Sequence, residues 1–216
     1  MEKTQRGKVA EGDRQTIGIV LFEGFETLDV FGPVQMLGRL PHHRLAAISE
    51  TGDSVTSSQG LSTIAHHSFA DAPQFDVLLV PGGKGTRREI GNPALLNFLI
   101  RQAGTAGWIT SVCTGAALLA KAGLLDGRRA TTNKAAFAWV VSQSDKVAWQ
   151  SQARWVVDGN VMTSSGVSAG TDMALALVEE LYGRAIAEQT ARSAEYVWNE
   201  SADDDPFGIN SVPALA

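Results

Sequence analysis

The stretch GWITSVCTGAALLAKAGLL, residues 107–125, holds the single cysteine of the chain, Cys113, and decides the fold. A short apolar run meets small residues around Ser111-Val112-Cys113-Thr114-Gly115 and passes straight into an alanine- and leucine-rich helix. That order is the layout of a nucleophile elbow: a strand ends, the backbone turns sharply, and a reactive side chain is held at the start of a helix. A thiol there meets unpaired backbone N–H groups and the positive end of the helix dipole, both of which favour the thiolate. Ser111 stands where such elbows usually have a first glycine, and serine is small enough for the turn.

Outward from the elbow, strand and helix signals alternate. Residues 16–22 (TIGIVLF) and 75–80 (FDVLLV) are compact apolar runs of the kind buried on both faces of a sheet, and 44–49 is a further strand. Leu28, Phe31, Val34 and Leu37 have helical spacing, with Gly32-Pro33 expected to kink or restart the helix. Residues 55–66 read as an irregular hairpin around Gly60, and 154–164 as a hairpin turning at Asp158-Gly159-Asn160. Helices are expected over 93–103, over 168–181 with Ser168 as N-cap, and over 185–198. The alternation implies an α/β fold with a parallel sheet covered on both faces, whose ligand sits outside the carboxyl ends of the strands. Three features lie at such ends and can converge in one crevice: the loop leading to Asp29, Pro81-Gly82-Gly83, and the Cys113 turn.

Composition narrows the function classes. The 216 residues suffice for one α/β domain over 15–200, with 1–14 as a flexible extension and 201–216 as an acidic, Pro- and Gly-containing tail over the surface. The net charge of −5 and the lack of a basic stripe argue against nucleic acid as a partner. No apolar run approaches the roughly 20 residues of a membrane span, and no signal-peptide pattern opens the chain. One cysteine excludes an intramolecular disulfide framework, so the chain reads as cytoplasmic. The four histidines form adjacent pairs, His42-His43 and His66-His67, a poor spacing for metal ligands, and no metal is expected. The five tryptophans and the apolar positions of 173–181 are assigned to the core.

Candidate site residues follow. Asp29 sits in an apolar helical face, either as a helix-start carboxylate or as a desolvated acid able to hold and donate a proton to the Cys113 chemistry. Gly82 and Gly83 make a turn after a strand. The Gly83 N–H could join that of Thr114 in an oxyanion hole. Thr114 serves as a small helix-start residue and as a hydroxyl over the reacting centre. No histidine follows Cys113, which leaves a Cys–His dyad without sequence support.

Together, Leu28-Asp29-Val30-Phe31-Gly32-Pro33, Val80-Pro81-Gly82-Gly83, Thr110-Ser111-Val112-Cys113-Thr114-Gly115 and the 122–132 run AGLLDGRRATT resemble the ThiJ/PfpI superfamily of class I glutamine-amidotransferase-like domains. Gly166-Val167-Ser168-Ala169-Gly170-Thr171-Asp172, Glu195-Tyr196 and the Pro206-Phe207 tail extend the resemblance over most of the chain, which looks most similar to the isonitrile hydratase branch. The resemblance implies a flavodoxin-like, doubly wound fold, Cys113 as nucleophile and Asp29 as the facing acid, where the wider superfamily commonly has Glu. It also implies Thr114 beside the nucleophile, a homodimer, and a lyase that hydrates a small isocyanide to an N-substituted formamide through a thioimidate without a cofactor.

Two segments depart from that branch. Asn133-Lys134 replace a common His-Trp, and Ser164-Ser165-Gly166-Val167-Ser168 replaces a Gly-rich Ile-Thr version. Asn133, Val167 and Ser168 are therefore expected to set substrate binding. The competing functions are a glyoxalase- or deglycase-like enzyme and a redox-sensing stress protein that uses Cys113 oxidation. A transcription-regulator half is a weaker expectation, because about 20 residues follow Glu195-Tyr196.

Overall fold

A computed structural model describes residues 14–209. In chain order it contains β1 (Gln15–Val20), α1 (Thr27–Leu37), β2 (His43–Ser49), β3 (Val55–Thr56), β4 (Ser62–Thr63), β5 (His67–Ser68), β6 (Val77–Val80), α2 (Thr86–Glu89) and α3 (Pro93–Ala103). There follow β7 (Trp108–Ser111), α4 (Gly115–Lys121), β8 (Arg129–Ala130), α5 (Phe137–Val141), β9 (Ala148–Trp149), β10 (Trp155–Asp158), β11 (Val161–Ser164), α6 (Ala169–Tyr182) and α7 (Arg184–Ser193).

Seven strands form the main sheet in the order β10-β11-β7-β6-β1-β2-β5. Every neighbouring pair is parallel except β10–β11, the hairpin expected from Asp158-Gly159-Asn160. The path from β1 to β2 runs one way across the sheet and that from β6 to β7 the other. Right-handed crossovers therefore place α1 and α3 on opposite faces. Helix α6 packs on α1 and α7, and α4 packs on α2, α3 and α5. Ile17, Leu78, Leu79, Leu118 and Leu175 are among the side chains removed from water between these layers. The doubly wound reading is met, and the direction reverses between β1 and β6, where ligands collect in such sheets.

Several local expectations need correction. The first strand stops at Val20, two residues early, although Leu21 and Phe22 stay buried. Pro33 does not restart α1, which runs from Thr27 to Leu37 without interruption. Proline there forfeits one bond to the Asp29 carbonyl, and packing along α6 holds the helix. Ser168 occupies the N-cap of α6, but its side chain makes no capping bond. The last helix ends at Ser193, not 198, because Tyr196, Trp198 and Asn199 turn back to bond Asp172. Of the tryptophans only Trp108 and Trp155 are fully buried, while Trp139, Trp149 and Trp198 pack half-buried on the core. The 55–66 hairpin is the two-residue pairing of β3 with β4.

The expected extension over 1–14 lies almost wholly outside the described residues, as do the last seven of the 201–216 tail. No helix among the described residues is long and apolar enough to cross a membrane.

Candidate active site

The site is built where β1, β6 and β7 end side by side. Cys113 follows β7 with φ +56°, the left-handed region that a β-carbon disfavours. Two partners fix the turn: the Cys113 N–H donates to Ser165 O (3.3 Å), and Thr132 Oγ1 donates to Cys113 O (2.8 Å). The thiol is buried at 6% exposure.

Asp29, in the first turn of α1, is wholly buried, and its Oδ2 accepts the Gly82 N–H at 2.8 Å. Its Oδ1 has no directed hydrogen-bond partner. The carboxyl and the Cys113 thiol interact side chain to side chain. Burial pushes the Asp29 pKa from its ordinary 3.8 to about 8; nearby Glu26 adds to the rise, and the Gly82 amide and the thiol oppose it. Burial also drives the Cys113 thiol well above its usual range, and the Asp29 charge pushes the same way, against the Thr114 N–H and hydroxyl. This reverses the expectation of a dipole-stabilised thiolate. At seven residues α4 is short, and desolvation beside an acid outweighs its field. Burial therefore favours the uncharged form of both groups.

Gly82 explains how acid, loop and elbow come together. A β-carbon there would lie 2.5 Å from both Thr114 N and Oγ1 and 3.0 Å from Asp29 Oδ2. Only glycine lets these three segments meet. The oxyanion-hole expectation fails in one half: the Gly83 N–H donates to Thr114 Oγ1 (3.0 Å), so it is not aimed at a ligand. Thr86 Oγ1 lies 3.1 Å from that same hydroxyl and donates to Gly83 O at 2.7 Å. The Thr114 side chain therefore braces the loop, while its N–H faces the sulfur.

A cavity of about 620 Å³ opens beside the thiol, lined by Leu28, Asn133, Lys134, Val167, Ser168 and Phe207 among others. Gly166 forms its inner wall, and a β-carbon there would run into Asn133 Nδ2 and sit 2.9 Å from Cys113 Sγ. The Asn133 amide and the thiol thus flank the same glycine. Asn133 Oδ1 accepts the Ala136 N–H (2.9 Å), which turns Nδ2 inward. Lys134 Nζ donates to Thr131 Oγ1 (2.7 Å) and Ala153 O (2.6 Å). Burial lowers its pKa to about 8, against the pull of Asp205.

The predicted residues thus fall into a group around the thiol (Cys113, Asp29, Thr114, Gly82) and a pocket group (Asn133, Val167, Ser168), with Gly83 behind Thr114. Sequence reasoning missed Glu26, Gly166 and Phe207. Gly166, between Ser165 and Val167, was the one with a visible signal. The histidines serve elsewhere: His66 Nδ1 accepts the Ala47 N–H, and His43 Nδ1 lies against Leu40 O.

Comparison with known proteins places this arrangement. The chain is 38% identical to the isonitrile hydratase of Pseudomonas putida over 180 residues, covering 83% of this chain and 78% of that protein. It is 31% identical to the HTH-type transcriptional regulator GbdR of Pseudomonas aeruginosa, of which it spans only 48%. Among solved structures, a THiJ/PfpI family protein from Pseudomonas syringae superposes with a TM-score of 0.78 at 32% identity, over 92% of this chain and 80% of that one. Drosophila melanogaster DJ-1beta shares the fold at a TM-score of 0.76 and 23% identity, over 86% of this chain and all of that one. Residues 15–180 match the DJ-1/PfpI family, and the chain belongs to it.

Proposed function

We propose that the protein is a cofactor-independent cysteine hydratase that adds water to an isocyanide, giving an N-substituted formamide. One observation carries the reading: Asp29, a buried acid with a free oxygen and a pKa near 8, faces the only thiol, and no histidine lines the adjoining pocket. An acid of that strength both gives and takes protons near neutrality. The likeness to an isonitrile hydratase over most of both chains agrees with it.

The reactive form of the pair carries one proton, as thiolate with carboxylic acid or as its tautomer. Cys113 sulfur bonds to the terminal isocyanide carbon while Asp29 protonates that carbon, leaving the thioimidate R–N=CH–S–Cys and a carboxylate. Asp29 then takes a proton from water as the hydroxide adds to the same carbon, and passes that proton to nitrogen. When the tetrahedral adduct collapses, its hydroxyl proton returns to Asp29, the C–S bond breaks, and R–NH–CHO leaves. The Thr114 N–H steadies the sulfur as it regains charge, and Asn133 Nδ2 donates to the added oxygen. A small-molecule substrate and a homodimer belong to this reading.

Incubating purified protein with an alkyl isocyanide in ¹⁸O-water should yield formamide carrying one labelled oxygen. Cys113→Ala should lower the rate by at least about 10³-fold. Absence of formamide, or full activity in Cys113→Ala, would overturn the assignment.

A further inference from the structure

Residues 194–209, after α7, form no helix or strand, yet 205–209 are firmly tied down. The Asp205 N–H donates to Gln152 O (2.8 Å), that of Gly208 to Asp205 O (2.7 Å), and that of Ile209 to Ser151 O (3.1 Å). The Asp205 side chain is buried; its Oδ1 accepts the Phe207 N–H (3.0 Å) and lies 3.7 Å from Arg154 Nη1. Arg154 O in turn accepts the Ser165 N–H, and Ser165 O holds the nucleophile's own N–H. The strap and the Cys113 turn therefore share one hydrogen-bonded frame.

On this strap Phe207 lines the pocket together with Leu28, Val167 and Ile209, while the polar Asn133 meets Gly166, the glycine that also flanks the thiol. The ring remains 70% exposed although its backbone is pinned on both sides. Lys134, which also lines the pocket, has its Nζ tied to Thr131 Oγ1 and Ala153 O. The pocket is thus polar at the reacting end and apolar at its mouth, a gradient that matches a molecule with a small polar head on an apolar body.

We propose that Phe207 determines specificity by covering a bulky apolar substituent of the substrate, and that Asp205 is a positioning residue that sets the ring. The head group rests on the isocyanide reading; the covered substituent does not. Apolar walls discriminate modestly, so the expected effect is a shift in preference.

The test is the ratio of kcat/KM for cyclohexyl isocyanide to that for methyl isocyanide. Phe207→Ala should lower it about tenfold, equivalent to about 1.4 kcal/mol, and Phe207→Trp should keep it. Ile64→Ala, which removes an exposed apolar side chain outside the pocket, should leave it unchanged. Asp205→Asn should raise KM for the cyclohexyl substrate with kcat nearly constant, a split that general loosening of the fold would not give. An unchanged ratio in Phe207→Ala overturns the proposal. If neither isocyanide is turned over, calorimetric binding of N-cyclohexylformamide and N-methylformamide decides it alone. A tenfold weaker hold on the cyclohexyl compound by Phe207→Ala would support the wall, and equal affinity would overturn it.

Discussion

Asp29 and Asp172 are both wholly withdrawn from solvent, and their surroundings are opposites. Asp172 Oδ2 receives Arg154 Nε at 2.9 Å and Nη2 at 2.5 Å, while Oδ1 receives the Tyr196 hydroxyl and the Asn199 N–H, each at 3.0 Å. Asp29 has one amide, a thiol, a nearby acidic Glu26 and an oxygen with no partner. The first arrangement spends every lone pair on fixing α6, the segment after α7 and Arg154 in place. The second leaves a carboxyl able to change protonation state beside a thiol. A carboxylate whose environment is complete specifies structure, and one whose environment is incomplete is available for chemistry.

Breaking the complete site should have the largest effect on stability. Arg154→Met leaves Asp172 and Asp205 buried without their cation, and urea unfolding should show a loss of about 3–5 kcal/mol. A loss below about 1 kcal/mol would erase the contrast between the two carboxyls.

Asp29→Asn should act with the opposite sign. The amide oxygen can still accept the Gly82 N–H, while hydration should fall by about 10²–10⁴-fold. The folded pKa of about 8 lies above the ordinary 3.8, so the native protein has its full stability from this group below pH 3.8 and loses it as pH rises through about 8. The variant should therefore gain nothing at pH 4 and on the order of a few kcal/mol at pH 8. Thermal unfolding at both values measures this, and a pH-independent difference would contradict the buried neutral acid.

The smallest effect sharpens the role of the brace. Thr114→Val takes the acceptor from the Gly83 N–H and should cost about 1 kcal/mol in denaturant unfolding. A change within error would mean that water replaces the hydroxyl there.

Much of this was legible in the chain. The strand runs around Ile17 and Leu78 and the Cys113 turn are local patterns, and local patterns survive in one dimension. Asp29 was visible as a carboxylate inside an apolar helical face. The fate of the Gly83 amide was not, because a hydroxyl 31 positions away claims it. Nor was the end of α7, where long-range bonds to Asp172 override helical spacing. Phe207 looked like part of a surface tail, since nothing in its neighbours announces that Gln152 and Ser151 hold the backbone of Asp205 and Ile209 on either side of it.

The Pro81-Gly82-Gly83 loop has one more consequence. Loops of successive glycine amides at strand ends commonly gather phosphate or carboxylate groups into a nest. Here the two glycine N–H groups point into the protein, one on Asp29 and one on Thr114, and Glu26 adds negative charge close by. The crevice has thus given up the anion-catching habit of its architecture. A molecule with an anionic head finds no cradle of free glycine amides at this turn.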